Sequence, residues 1–303
     1  MKTSIVVGSR GSKLALIQTE QFVAGLKKVN PNLAFSISRI VTGGDRDVHK
    51  QFDDVEGSGV FVKELETALL DAKIDLAVHS LKDMPVDLPP GLCLSAIPKR
   101  VDPRDVLISV GSTPLVDLPA GAGIGTGSPR RTIQLNACRP DLKAHSIRGN
   151  VDSRIRRVTG GELAGVIIAA AGLIRLGWEN RISEYLPVEH FLPAVGQGAL
   201  AIEARLGDED IAALVSPFND LPTEQSVTAE RALLRALGGG CRAPIAALGT
   251  VTGKTLQLRG MFADPDGGNM QSAVEEGDAV EAEEIGIRLA KKLLKLRATG
   301  VCS

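Results

Sequence analysis

Apolar and polar positions along the chain switch repeatedly between a period near two and a period near 3.6. Ser4–Gly8 is a short apolar run and predicts a first strand. Lys13–Lys28 sets Leu14, Ile17, Phe22 and Leu26 on one helical face, and Asn30-Pro31-Asn32 ends it. Ala34–Val41 alternates and predicts a second strand. Thr42–Gly59 carries four glycines, many acidic residues and little apolar content. It reads as a long loop, and long loops in compact domains tend to be lids or binding loops. A helix over Val60–Asp71 and a strand ending at His79 complete a βαβαβ order. That order predicts a parallel sheet with covering helices.

Leu92–Ile97 predicts another strand. K-R-V-D-P-R-D at Lys99–Asp105 is a polar crossing and marks a domain boundary. The pattern then restarts. Gly121–Gly127 is a strand-to-turn, Pro129–Cys138 a helix, Lys143–Ile147 a strand, Val151–Thr159 a helix and Val166–Ala170 a strand. Two successive α/β halves predict two lobes around a cleft. P-A-V-G-Q-G at Pro193–Gly198 is a turn, and Ala199–Ala204 a strand returning to the first lobe. Beyond it come a helix over Glu224–Leu237 and a loop over Gly238–Pro244. Strands over Ile245–Thr250, Leu256–Phe262 and Met270–Glu275 and a helix over Val280–Arg297 then predict a small α+β domain. The expected division is 1–98 with a return segment 199–216, then 99–198, then 217–303. No fixed repeat marks a solenoid.

Composition narrows the function. The 303 residues suffice for two or three domains, and 44% hydrophobic with 23% charged residues is ordinary globular usage. No apolar run approaches the roughly 18 residues of a membrane span. Ile5–Val7 is too short for a signal-peptide core, so a cytoplasmic protein is expected. Cys93, Cys138, Cys241 and Cys302 form no C-x-x-C pair and are expected as thiols. No H-E-x-x-H is present and no metal site is expected. Net charge is −1, yet eight basic residues stand against Asp141 and Asp152 between Thr126 and Arg157. A local arginine cluster in a neutral chain argues for a small polyanion rather than a nucleic acid. Aromatics at 3% agree, because stacking platforms would be scarce. The stretch from Asp264 to Glu284 holds no Lys or Arg and reads as a solvated acidic surface.

Four places could carry chemistry. In D-L-A-V-H-S-L-K-D-M-P (Asp75–Pro85) a buried strand ends in a turn that Pro85 keeps from becoming helical. Ligands in open α/β sheets bind beyond such strand ends, which sets Asp83 beside a cleft with Ser80 and Lys82. G-I-G-T-G-S-P-R-R (Gly123–Arg131) offers Ser128 as N-cap and Pro129 at the first helical position. A helix start with hydroxyls and two arginines is an anion site. Without G-x-G-x-x-G or G-K-[ST], nucleotide binding has little support. Arg148-Gly149-Asn150 with Arg154, joined by Ser9-Arg10, could direct further guanidiniums to a strand-end cleft. Cys241 follows three glycines and precedes Arg242, a setting that favours a reactive thiolate. Each has a plainer reading: a solvated turn, a capped helix with solvated arginines, a basic helix face, an inert buried cysteine.

Eight segments together resemble the porphobilinogen deaminase (hydroxymethylbilane synthase) family. They are S-R-G-S-K-L-A-L-I-Q (Ser9–Gln18), F-V-K-E-L-E (Phe61–Glu66), V-H-S-L-K-D-M-P (Val78–Pro85) and G-T-G-S-P-R-R (Gly125–Arg131). R-G-N-V-D-S-R (Arg148–Arg154), A-A-A-G-L-I-R-L (Ala169–Leu176), P-A-V-G-Q-G (Pro193–Gly198) and G-G-G-C-R-A-P (Gly238–Pro244) follow in the family's order. The resemblance implies two periplasmic-binding-protein-like lobes with a central cleft, plus a small α+β C-terminal domain carrying the cofactor cysteine. It implies a transferase that joins four porphobilinogen units head to tail with loss of ammonia. The growing chain stands on a dipyrromethane primer held by a thioether to Cys241, and hydroxymethylbilane leaves by hydrolysis. By resemblance Asp83 is the catalytic carboxylate, stabilising positive charge and assisting proton transfer.

The resemblance assigns Ser80, Lys82, Thr126, Ser128, Arg130, Arg131, Arg148 and Arg154, with Cys241, to the cofactor. It assigns Arg10, Arg148, Arg154, Arg175 and Gln197 to the substrate. A cytoplasmic monomer with porphobilinogen as partner, and neither nucleic acid nor membrane, is expected, with hinges near Lys99–Asp105 and Pro193–Ala199. One departure is Gly57-Ser58-Gly59, where many members carry G-K-G; Arg46, His49 or Lys50 could substitute. The rival readings are a two-lobed carboxylate-binding protein and a cysteine-dependent acyl transferase using His79 or His190. A serine hydrolase would want G-x-S-x-G, which is absent.

Overall fold

The computed structural model describes residues 2–41, 62–239 and 244–299. The 42–59 loop, Ser58 and Cys241 therefore lie outside the described residues. In chain order the first elements are β1 (Ser4–Arg10), α1 (Lys13–Val29), β2 (Ala34–Ile40), α2 (Lys63–Leu70), β3 (Leu76–Ser80) and β4 (Leu92–Ala96). Next come β5 (Asp105–Ser109), β6 (Gly123–Gly125), α3 (Pro129–Cys138), β7 (Lys143–His145), α4 (Val151–Thr159), β8 (Gly165–Ala169), α5 (Ala170–Leu176) and β9 (Glu184–Tyr185). The last are β10 (Leu200–Arg205), α6 (Glu209–Val215), α7 (Leu221–Ala236), β11 (Ile245–Thr252), β12 (Thr255–Phe262), β13 (Gln271–Asp278) and α8 (Ala282–Thr299). The chain divides into two compact units, residues 1–100 with 199–224 and residues 101–198 with 225–303.

The first unit holds a five-stranded sheet in the order β2-β1-β3-β10-β4. β1 runs parallel to β2 and β3, and β10 runs antiparallel to β3 and β4. Ile5, Val7, Leu76, Val78 and Ile202 face Phe22, Val23 and Leu26 of α1 and Ile211 and Val215 of α6. Ala77 and Leu92 face Leu65, Ala68 and Leu69 of α2 on the other side. Burial on both faces is why β3 reads as an unbroken apolar run. Ser12 caps α1, its Oγ accepting from Ala15 N at 3.3 Å.

The second unit contains a five-stranded sheet ordered β7-β6-β8-β5-β9 and an antiparallel meander β11-β12-β13. α3 covers one face of the larger sheet through Leu135, and α4 covers the other through Ile155 and Val158. α7 and α8 cover the meander through Leu233, Ile285, Leu289 and Leu293. They approach so closely that a Cβ at Gly286 would strike the Ala229 carbonyl. Ile133 of α3 and Leu192 pack on Ala246 and Met261, joining the meander to the larger sheet's helix layer.

This is the expected class, two α/β sheets and a small antiparallel sheet with helices. Several details differ from the sequence reading. The larger sheets are mixed rather than wholly parallel, because β10 and β5 enter them antiparallel. Asp105 does not end a polar crossing; it opens β5, whose five residues are all buried. α5 and α6 are additional short helices. α7 starts three residues early because Asp220 Oδ1 accepts from Thr223 N at 3.0 Å and Pro222 suits a first turn. The acidic 264–284 stretch is partly paired, Glu275 with Arg288 and Lys292, and Asp264 with Arg297.

Candidate functional site

In the first unit, β3 ends at Ser80 and turns into a single 3-10 turn over Leu81–Asp83, closed by Met84 N donating to Leu81 O. The turn lies beyond the carboxyl ends of β1 and β3, where an open sheet leaves backbone groups and side chains free to meet a ligand. Gln18 of α1 fixes Ser80. Its Nε2 donates to Ser80 Oγ at 3.1 Å, and its Oε1 lies 3.2 Å from the same hydroxyl. Thr19 Oγ1 donates to the buried Ser9 Oγ at 2.9 Å and so anchors the residue before Arg10. Arg10, Gln18, Ser80 and Asp83 line one small pocket with Val62 and Val78 as apolar walls. Lys82 is half-buried on the same turn as Asp83.

In the second unit, β6 leads through Thr126 into α3. Thr126 is buried, and its Oγ1 accepts from Ser128 N at 3.3 Å. Ser128 stands at the N-cap with Pro129 behind it, and its side chain makes no capping bond. Arg130 and Arg131 are not solvated; both are buried around one carboxylate. Arg130 Nη1 donates to Asp105 Oδ2 at 2.8 Å and to Leu192 O at 2.6 Å. Arg131 Nη2 donates to Asp105 Oδ1 at 2.7 Å. Burial by itself would raise the Asp105 pKa, but the two guanidiniums outweigh it and hold the carboxyl far below the usual range. Two cations against one anion leave this interior with a net positive charge.

Gln197, expected at a ligand, is fully buried, its Nε2 donating to Asp105 Oδ1 at 2.9 Å and to Pro103 O at 2.6 Å. It ties the Pro193–Gly198 turn to the start of β5. Glu230 of α7 holds the same turn, accepting from Gly196 N at 2.7 Å and from Gly249 N at 2.9 Å. Arg175 closes α5 and donates from Nη2 to Gly198 O at 2.8 Å. Burial pushes its guanidinium down to about 10, still cationic at neutral pH.

The Arg148–Arg154 motif is local engineering of a helix start. Gly149 sits at φ +101°, where a Cβ would also strike the Ser153 side chain. Asn150 caps α4, its Oδ1 accepting from Ser153 N at 2.9 Å. Arg154 Nε folds back onto Gly149 O at 2.9 Å.

Arg10, Ser80 and Asp83 thus come together in one unit, while Arg130, Arg131, Gln197 and Arg175 share a network in the other. Sequence reasoning missed Asp105. Two adjacent arginines in a near-neutral chain call for a buried counter-charge, and an aspartate heading the apolar V-L-I-S run was the available signal. It also passed over Glu66 and Glu203, which are buried in the first unit. Among the described residues no group of His, Cys, Asp or Glu could hold a metal ion. No described helix is long and apolar enough to cross a membrane.

The family description "Porphobilinogen deaminase, dipyromethane cofactor binding domain" matches residues 5–213, and "Porphobilinogen deaminase, C-terminal domain" matches residues 225–295. The chain belongs to the porphobilinogen deaminase family. It is 50% identical over 289 residues to the porphobilinogen deaminase of Brevibacillus brevis, covering 95% of this chain and 93% of that one. It is 48% identical over 292 residues to the Bacillus subtilis porphobilinogen deaminase, covering 96% and 92%. Among solved structures it is similar to the periplasmic aliphatic sulphonate binding protein of Escherichia coli. The identity there is 14% and the TM-score 0.40, over 78% of this chain and 71% of that one. The family's activity is porphobilinogen deamination in tetrapyrrole biosynthesis, and this chain carries its dipyrromethane-binding domain. The residues present fit such a polycarboxylate. Arg131 Nε, in the first turn of α3, is buried with no hydrogen-bond partner, an orphan donor.

Proposed function

We propose that this chain joins four porphobilinogen molecules head to tail, losing one ammonia per unit, and releases hydroxymethylbilane by hydrolysis. The reading rests on family membership and, in the structure, on one observation: Asp83 shares a strand-end pocket with Arg10, Gln18 and Ser80. Dipyrromethane, held by a thioether to Cys241, supplies the pyrrole carbon to which the first unit is added. Arg10, Arg148, Arg154 and Arg175 hold substrate carboxylates, and Ser80, Lys82, Thr126, Ser128, Arg130, Arg131, Arg148 and Arg154 hold those of the cofactor. Planar guanidiniums suit this role because they meet a carboxylate at two points. Gln197 acts through Asp105 and Arg131, positioning them rather than touching ligand.

Asp83 stabilises the positive charge that develops as ammonia leaves, and takes a proton from the pyrrole carbon that has formed the new bond. The lobes are 1–98 with 199–216 and 99–198, and 217–303 carries the cofactor cysteine. The protein works as a cytoplasmic monomer.

Intact mass with a proteolytic map around Cys241 tests the reading directly. Two linked pyrrole units on that peptide, absent from Cys241→Ala, are the expected result. An unmodified chain that gains no adduct on adding porphobilinogen would favour a carboxylate-binding protein instead. Asp83→Asn should bind porphobilinogen but lose kcat by roughly two to three decades, about 3 kcal/mol of transition-state stabilisation. Full turnover in that variant would remove Asp83 from its role.

A further inference from the structure

Three ionisable side chains from three elements meet under α2 in the first unit, and the coupling chemistry above uses none of them. They are Glu66 on α2, His79 on β3 and Glu203 on β10, all buried. Glu203 is the register partner of Ala77, and His79 stands diagonal to it on the same sheet face. His79 Nε2 lies 2.9 Å from Glu203 Oε2. Neither atom makes a hydrogen bond of regular geometry. Glu66 Oε1 and both Glu203 oxygens are buried without a hydrogen-bond donor. For Glu66 the anion is costly without a donor, and holding a proton relieves it. Burial, reinforced by the neighbouring Glu203 charge, raises the Glu66 pKa to about 7, against a smaller lowering by Lys63.

The cluster is not isolated from the reacting site. His79 lines the pocket that holds Asp83, Ser80 and Arg10. His79 therefore belongs both to the lining of Asp83's pocket and to the buried contact with Glu203. The other ionisable groups on the surrounding elements are Arg10 of β1, Lys63 and Glu64 of α2, Arg205 of β10, Cys93 of β4, and Lys82 and Asp83 of the turn. Arg205 is held elsewhere, by the Leu69 and Ile74 carbonyls and by Asp208.

We propose that His79, Glu203 and Glu66 form a proton reservoir behind Asp83, filled and emptied once per coupling. The proposal rests on the reading of Asp83 as the acid–base group. Each coupling breaks one carbon–nitrogen bond, forms one carbon–carbon bond and frees one proton from a pyrrole carbon. Asp83 accepts that proton, His79 passes it inward, and Glu66 holds it as a neutral carboxyl. It returns by the same groups and leaves on the released ammonia as ammonium. A carboxyl half-protonated near neutral pH both takes and gives a proton readily.

The test is the pH dependence of kcat in the holoenzyme, with an infrared titration of the buried carboxyl band alongside. The native enzyme should show kcat rising through an inflection near pH 7, matched by loss of a protonated carboxyl band. Glu66→Gln resembles the neutral acid and should fold. It should lose both the inflection and the band, with kcat at pH 8 down about tenfold, the equivalent of one pKa unit. Glu203→Gln removes the neighbouring anion and should move inflection and band to lower pH; Glu66→Asp should restore an inflection. An unchanged inflection in Glu66→Gln, or a uniform loss of kcat at every pH, overturns the reservoir. Asp83→Asn measured in parallel separates the two ideas. If it is inactive while the Glu66→Gln profile matches the native one, only the reservoir falls. If it turns over fully, the Asp83 reading falls and the reservoir with it.

Discussion

Replacing Asp105 with asparagine removes one negative charge from a buried site and leaves two guanidiniums facing each other. Arg130 and Arg131 lie 2.8 and 2.7 Å from the two oxygens of this carboxylate, and all three side chains are buried. Asparagine can still accept at Oδ1, but its Nδ2 would point a donor at a donor. Breaking a buried pair by removing one partner typically costs about 3–5 kcal/mol, because the remaining charge has no water to turn to. For the second unit that corresponds to a fall in Tm of roughly ten degrees, at about 2–4 °C per kcal/mol for a domain of this size. Thermal and urea unfolding at pH 7 would measure it, with m unchanged if only stability is altered. Because the Asp105 pKa is depressed in the fold, its contribution is present above the unfolded value near ~3.9 and is lost as pH falls through the folded one. The gap between variant and native protein should therefore close in strong acid. Asp105→Asn combined with Arg130→Met should cost less than the sum of the two changes, since the pair is removed together. A Tm within a degree or two of native would refute the argument that this carboxylate neutralises the arginines.

Three further outcomes follow from the geometry. Asn150→Ala removes the cap of α4 and should cost about 1 kcal/mol in chemical unfolding, while raising KM for porphobilinogen by loosening Arg148 and Arg154. Gly149→Ala should cost roughly 1–3 kcal/mol, since φ is +101° and the added methyl meets Ser153; circular dichroism melts would read it. Glu66 is an acid whose pKa is raised on folding to about 7, so stability contributed at this site falls as pH climbs from the unfolded value toward 7. Glu66→Gln should therefore gain roughly 1–2 kcal/mol relative to native at pH 8 and nothing at pH 4, a contrast that urea titration at the two pH values would detect.

Much of the candidate site was legible in the chain before any coordinates. α3 and α4 occupy Pro129–Cys138 and Val151–Thr159, the spans read from the sequence, the first of them from Ser128-Pro129. Helix starts are set by residues within one turn of each other, so sequence neighbours carry the information. The same holds for Asp83, placed at a strand end by an apolar run before it and Pro85 after it. What those residues touch was a different matter. Arg130 and Arg131 meet Asp105 from 25 and 26 positions away, and Gln197 joins them from 92. β5 was hidden by its polar, proline-bearing approach and by an aspartate at its head, and only antiparallel insertion beside β8 makes that aspartate a buried partner.

Glu66, His79 and Glu203 likewise converge only because β10 returns from over a hundred residues beyond β3 and pairs with it in a register that sets Glu203 opposite Ala77. A one-residue slip would turn Glu203 to the other face of the sheet. Local propensity and capping fix elements through short-range backbone bonds. The charges that act on one another inside this protein were chosen by strand order and register, which no single stretch of sequence contains.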